Sequence, residues 1–196
     1  MEASVIEFAP PAVDKKEILR YARAGEPTPE VLSLLEECLK EAESCFSYKV
    51  VYGEFPMTSD GCHFSLGFGE YESEYLMHGI GTCFHIIPFV ATVGHEIDVL
   101  VKRYEVLSPA KAHMLDAIGS ERVESLCDAF CEYISKMVEA KGGRTRPRIS
   151  PGYGDIPFAI QRDVFSVLDP YRKVGVCLGE RYLMSPRKSV TAAIAY

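Results

Sequence analysis

The residues best suited to chemistry crowd into one stretch, Arg144 to Pro157, which reads RTRPRISPGYGDIP. Pro147, Pro151 and Pro157 fix φ and stiffen it, while Gly152 and Gly154 admit backbone conformations and a close ligand approach that a side chain resists. Arg148 brings a guanidinium fork able to grip a carboxylate through two parallel hydrogen bonds. Tyr153 adds an aromatic face that can stack on a purine or lie beside a cationic group. Such a loop suits an amphoteric ligand with a carboxylate, a flat heterocycle and a positive centre. Taken alone, the same residues also describe a structural turn with surface decoration.

Other chemistries find less support. His63, His78, His85, His95 and His113 are scattered, with no H-E-x-x-H or comparable metal spacing, so structural or surface roles are expected. Seven cysteines, at 38, 45, 62, 83, 127, 131 and 177, form an odd set without a C-x-x-C pair, which suits reduced thiols. Cys127 and Cys131 stand four apart and read as packing on one helix face. Ser59-Asp60 and Ser189 lack the flanking elbow and partners of a hydrolytic nucleophile. Glu70, Glu72 and Glu74 alternate as on a solvated strand face, Arg187 and Lys188 are expected in solvent, and Asp155 is expected to cap the helix after the loop. No catalytic residue and no metal site is assigned.

The elements that must carry the loop are legible as periodicities. Asp14 and Glu17 resemble a capping box for a short helix that Gly25 can end. Thr28 and Pro29 open a second helix with Val31, Leu34, Leu35, Cys38, Leu39 and Ala42 on its core face. From Phe46 to about Val93 the runs YKVVYGEF, CHFSLGFGEY and CFHIIPFVATVG read as strands. Helical spacing returns from His95 to Tyr104, in a short helix from Ser108-Pro109 through Leu115, and in a long helix capped by Ser120. The last of these turns Val123, Leu126, Cys127, Phe130, Ile134, Met137 and Val138 inward and stops at Gly142-Gly143. After the loop come a helix with Ile160, Val164, Phe165 and Leu168 inward, then strand-like KVGVCLGE and SVTAAIAY. Without a regular βα alternation, these elements predict an α+β fold, mainly antiparallel, with a twisted sheet flanked by helices.

With 196 residues and 47% hydrophobic content, one domain over 1–196 is the default, residues 1–25 forming an N-terminal arm and short helix. The formal charge of -7 and pI near 5.3 argue against a nucleic-acid binder. No stretch approaches the ~18 uncharged apolar residues of a membrane span. The N-terminus meets a proline pair and then charge before any apolar run of signal-peptide length, so a cytoplasmic protein without a membrane is expected.

R-x-x-x-G-Y at Arg148 to Tyr153 is similar to the ligand-loop motif of the activation (reactivation) domain of cobalamin-dependent methionine synthase. The following QRDVFSVLDP, KVGVCL and LMSPRKSV stay in that family's order, and upstream ATVGHEID and DAIGSERVESLCDAF resemble segments of its short, free-standing members. The resemblance spans 90–196. It implies S-adenosylmethionine, which carries a carboxylate, a purine and a sulfonium, as the ligand. It also implies a contact from Arg148, a shaping role for Tyr153, and backbone from Pro151 through Gly152 to Gly154 against the ligand. The cobalamin would be carried by a partner, since no D-x-H-x-x-G motif occurs here. That partner would be a methionine synthase lacking its own activation domain, with an electron donor protein completing the system.

Two departures from the family stand out. The full-length family continues beyond its Ser-Val strand to a tyrosine pair, whereas this sequence ends at Tyr196, and GGRTR is basic where the family is acidic. Of the side chains involved, Arg148 carries over, and a partner is expected to complete the site. The alternatives are a docking subunit of a corrinoid protein that binds no ligand, and an S-adenosylmethionine-dependent methyltransferase with another acceptor.

Overall fold

The computed structural model describes residues 3–196; Met1 and Glu2, the start of the expected arm, lie outside the described residues. The chain opens with β1 (Ser4–Glu7) and α1 (Lys15–Tyr21), where the Asp14 carboxylate accepts from the Lys16 amide at 2.9 Å and the Glu17 amide at 3.1 Å. Next come α2 (Pro29–Ala42), β2 (Lys49–Tyr52), β3 (Phe55–Pro56), β4 (Thr58–Asp60), β5 (His63–Ser65), β6 (Glu70–Glu72), α3 (Glu74–Ile80) and β7 (His85–Thr92). The second half contains α4 (Glu96–Leu107), α5 (Pro109–Ala140), α6 (Ile160–Leu168), α7 (Pro170–Val174), β8 (Cys177–Leu178), β9 (Met184–Ser185) and β10 (Ser189–Ala195).

The main sheet runs β1-β2-β7-β10, all antiparallel, with β3 continuing along β7 beyond β2. β7 is central, yet it contains Pro88, whose missing N–H would break a regular ladder. Pro88 falls where β2 has ended at Tyr52 opposite Phe89 and β3 has not begun at Phe55 opposite Ile86, so that amide is not required. Alternation then sorts the core into two layers. Ile87, Phe89, Ala91, Val50, Ala192 and Ile194 face α1, α2, α4 and α5. Ile86, Val90, Val51 and Ala195 face α3, α6 and the small sheet β4-β5-β6. The architecture is α+β and mainly antiparallel, as expected. No helix among the described residues is long and apolar enough to cross a membrane.

Several local expectations are overturned. The helix through Leu115 and the one expected from Ser120 are a single 32-residue α5. Ser120 caps nothing: its hydroxyl donates to the Asp116 carbonyl at 3.0 Å, and only Gly119 weakens the run. Lys188 is buried rather than solvated. Its stem lies against Gly119, and its ammonium reaches Asp116 at 2.8 Å and Ser120 at 2.9 Å. Arg187 is exposed, as expected, whereas Met137 lies at the rim instead of the core.

CHFSLGFGEY folds as the hairpin β5–β6, turning at Gly67 with φ +72°, and Glu74 leaves the strand to begin α3. In KVGVCLGE, Pro170 starts α7, which takes Lys173 and Val174, and only Cys177 and Leu178 remain in a strand. α1 stops before Gly25, with Arg23 taking the left-handed turn.

Candidate ligand-binding site

Between α5 and α6 the chain first lies along the open edge of β10. The Arg146 amide donates to the Ala195 carbonyl at 2.8 Å, and Ile149 exchanges hydrogen bonds with Ala193 at 2.9 and 2.8 Å. Arg148 turns towards α5, where Nη2 pairs with the Glu124 carboxylate and lies 3.6 Å from Asp128. Burial opposes its charge, but the neighbouring Cys127, Glu124 and Asp128 outweigh that and hold the guanidinium more firmly protonated than usual. Burial likewise pushes the Cys131 thiol up to about 11, against the pull of Arg148, so this thiol is inert at neutral pH. Nε and Nη1 of Arg148 make no hydrogen bond among the described residues. Nη2, which both two-pronged edges of the guanidinium share, is therefore committed, and Nε and Nη1 remain as separate donors.

Beyond Ile149 the loop crosses to the other side of the sheet. Its turn closes through Tyr153 N–H to Ser150 O at 3.1 Å, Ile156 N–H to Tyr153 O at 2.9 Å and Gly152 N–H to Ile156 O at 3.0 Å. Gly152 has φ +90°, and a Cβ there would lie 2.5 Å from the Phe158 ring. Gly154 has φ +54°, and its Cβ would meet the Tyr75 ring at 2.6 Å. Both positions require glycine twice over, for conformation and for space. Tyr153 is half exposed, and Pro151 helps roof an apolar cavity of about 30 Å³ lined also by Ile149, Ile156, Ile160 and Thr191.

Asp155 does not cap the following helix, which begins five residues later at Ile160. Its carboxylate instead accepts from the Ser73 hydroxyl and from the amides of Glu74 at 2.8 Å and Tyr75 at 3.3 Å, tying the loop to the start of α3. Those bonds, chiefly the one from Ser73, hold its pKa below the ordinary 3.8. Thus Pro151, Gly152, Tyr153 and Gly154 come together with α3 and α6, while Arg148 faces α5 across the sheet edge.

Sequence reasoning missed the aromatic side chains that surround the turn. Phe158 is 55% exposed and lies nearly parallel to Tyr182, with ring centroids 6.3 Å apart and planes at 21°. The Arg162 guanidinium sits 4.9 Å from the Tyr182 centroid. Tyr182 is at the tip of the β8–β9 hairpin, where Arg181 and Tyr182 both adopt left-handed backbone at φ +58° and +61°. Each such non-glycine residue costs of order 1–3 kcal/mol. The only sequence signal was Gly179-Glu-Arg-Tyr182 between two short strand-like runs.

The sequence matches no protein-family model and no curated protein. Among solved structures, it aligns over 100% of its length, and 78% of the other chain, with a MetH reactivation domain bound to AdoHcy, at a TM-score of 0.68 and 17% identity. The chain has the MetH reactivation-domain fold. The agreement runs from β1 through β10, so it includes the half before residue 90 that the sequence resemblance did not reach.

Proposed function

We propose that this chain binds S-adenosylmethionine and supports reductive methylation of oxidised cobalamin, acting in trans on a methionine synthase that lacks its own activation domain. The observation that carries the reading is the full-length likeness to a reactivation domain solved with AdoHcy, the product that S-adenosylmethionine leaves after methyl transfer. S-adenosylmethionine would supply the methyl group and a donor protein the electron, so this chain needs no catalytic base. Its task is orientation and partner selection. Arg148 would hold one oxygen of the ligand carboxylate through Nη1 or Nε, the donors that Glu124 and Asp128 leave free; these point to different edges of the guanidinium, so a two-pronged grip requires Nη2 to leave Glu124. Backbone from Pro151 to Gly154, with Tyr153, would lie against the nucleoside end. Because Arg148 and the turn face opposite sides of the β10 edge, the reading requires a ligand long enough to reach round that edge.

Calorimetric titration with S-adenosylmethionine and AdoHcy tests this. Arg148→Ala is expected to weaken binding about 10- to 100-fold, the scale of a lost charge-assisted pair. Glu124→Gln is expected to tighten it a few-fold, about 0.5–1 kcal/mol, because a competing carboxylate has been neutralised. If neither ligand binds, alone or with a cobalamin-loaded methionine synthase and an electron source, the reading is wrong. The pairing of Arg148 Nη2 with Glu124 favours one rival, a docking subunit of a corrinoid protein that binds no ligand. That rival predicts co-purification with the partner and indifference to Arg148→Ala.

A further inference from the structure

We propose that the rings of Tyr182 and Phe158, with the Arg162 guanidinium over the Tyr182 ring and Gly152 beneath Phe158, form a stacking shelf for a purine base. The proposal rests on the reading above and deepens it by assigning residues to the nucleoside end of the same ligand. Three independent features converge on this spot. The two rings are nearly parallel, with Phe158 55% exposed and Tyr182 half-buried, and burying the Phe158 ring would serve folding better than displaying it.

The backbone beneath them is adverse: Arg181 and Tyr182 are both left-handed, where glycine would close the same hairpin tip without strain. Tyr182 is thus held in its orientation at a cost to stability. The third feature is the approach of the loop backbone to Phe158, which the φ +90° conformation of Gly152 permits and any Cβ would block. A flat, uncharged heterocycle fits a surface made of two π faces and one guanidinium plane. Asp163, on the same helix as Arg162, has its Oδ2 engaged by the Tyr71 hydroxyl at 2.5 Å.

The test is titration of the purified chain with adenosine and with AdoHcy, comparing wild type with Tyr182→Ala, Tyr182→Phe, Tyr182→Gly and Phe158→Ala. Tyr182→Ala and Phe158→Ala should weaken both ligands by about tenfold, the scale of one base–aromatic stack. Tyr182→Phe should retain wild-type affinity. Tyr182→Gly should raise the melting temperature while losing affinity, a combination that a purely structural tyrosine would not produce. If AdoHcy binds in an Arg148-dependent way but with the same affinity in Tyr182→Ala, the shelf is overturned and the functional reading stands. If adenosine binds through Tyr182 but AdoHcy does not bind, the shelf stands and the functional reading fails. Absence of binding by both ligands, alone and with the cobalamin-loaded partner, overturns both.

Discussion

Asp155 shows how one carboxylate positions the turn. It gives up the helix that follows it in sequence and bonds Ser73, Glu74 and Tyr75, which ties the loop to the start of α3. Its folded-state pKa is depressed below 3.8, chiefly by the Ser73 hydroxyl, so on acidification the unfolded chain takes up the proton first. The anchor therefore contributes above the ordinary aspartate pKa and is lost as pH falls through the folded value. Hydrogen exchange checks this: relative to unstructured rates, the Glu74 and Tyr75 amides should lose protection as pH falls from about 5 to about 2. In Asp155→Asn they should be poorly protected throughout, and a wild-type profile in that variant would show that the anchor is dispensable. Asp155 was legible as a cap because Asp at a loop end is one. Which helix it caps was not, since the 82-residue separation from Ser73 is a tertiary fact.

The same limit governs the elements. α2 and α6 were legible because an apolar face at helical spacing marks each, whereas α5 was split because Ser120 has the residue type of an N-cap. Lys188, just before β10, lies against Gly119 and donates to Ser120 within the unbroken helix. A further long-range strap secures the N-terminal arm. Arg122 is 2% exposed and donates to the carbonyls of Pro11 and Ala12 at 2.7 Å each, while its fork meets both Glu121 oxygens at 2.6 Å. Arg122→Leu would leave Glu121 buried without its cation and release the arm, an expected loss of about 3–5 kcal/mol. Urea unfolding should show it, and the double variant Glu121→Leu/Arg122→Leu should recover much of the difference, because the unpaired charge then disappears.

In the whole molecule, one sheet separates a scaffold layer from the layer bearing the shelf. Phe130 of α5 anchors the scaffold side, with ring centroids 4.7 Å from Phe89, 5.1 Å from Tyr52 and 6.4 Å from Phe8. The period of α5 made Phe130 legible as core. The Phe158–Tyr182 pair was not legible, because it joins a loop to a hairpin tip and neither has a periodicity. Phe130→Ala should destabilise the protein by about 3–5 kcal/mol through lost burial and the cavity left behind. The Phe158 and Tyr182 rings lie across the sheet from Phe130, so if they form the proposed shelf, the adenosine affinity of the fraction still folded should stay within about twofold of wild type, the additivity expected of distant sites. Titration well below the melting temperature of the variant checks this. A tenfold loss of affinity would mean that α5 transmits packing changes through β7 to the turn, making the two layers one cooperative unit rather than a scaffold and a site.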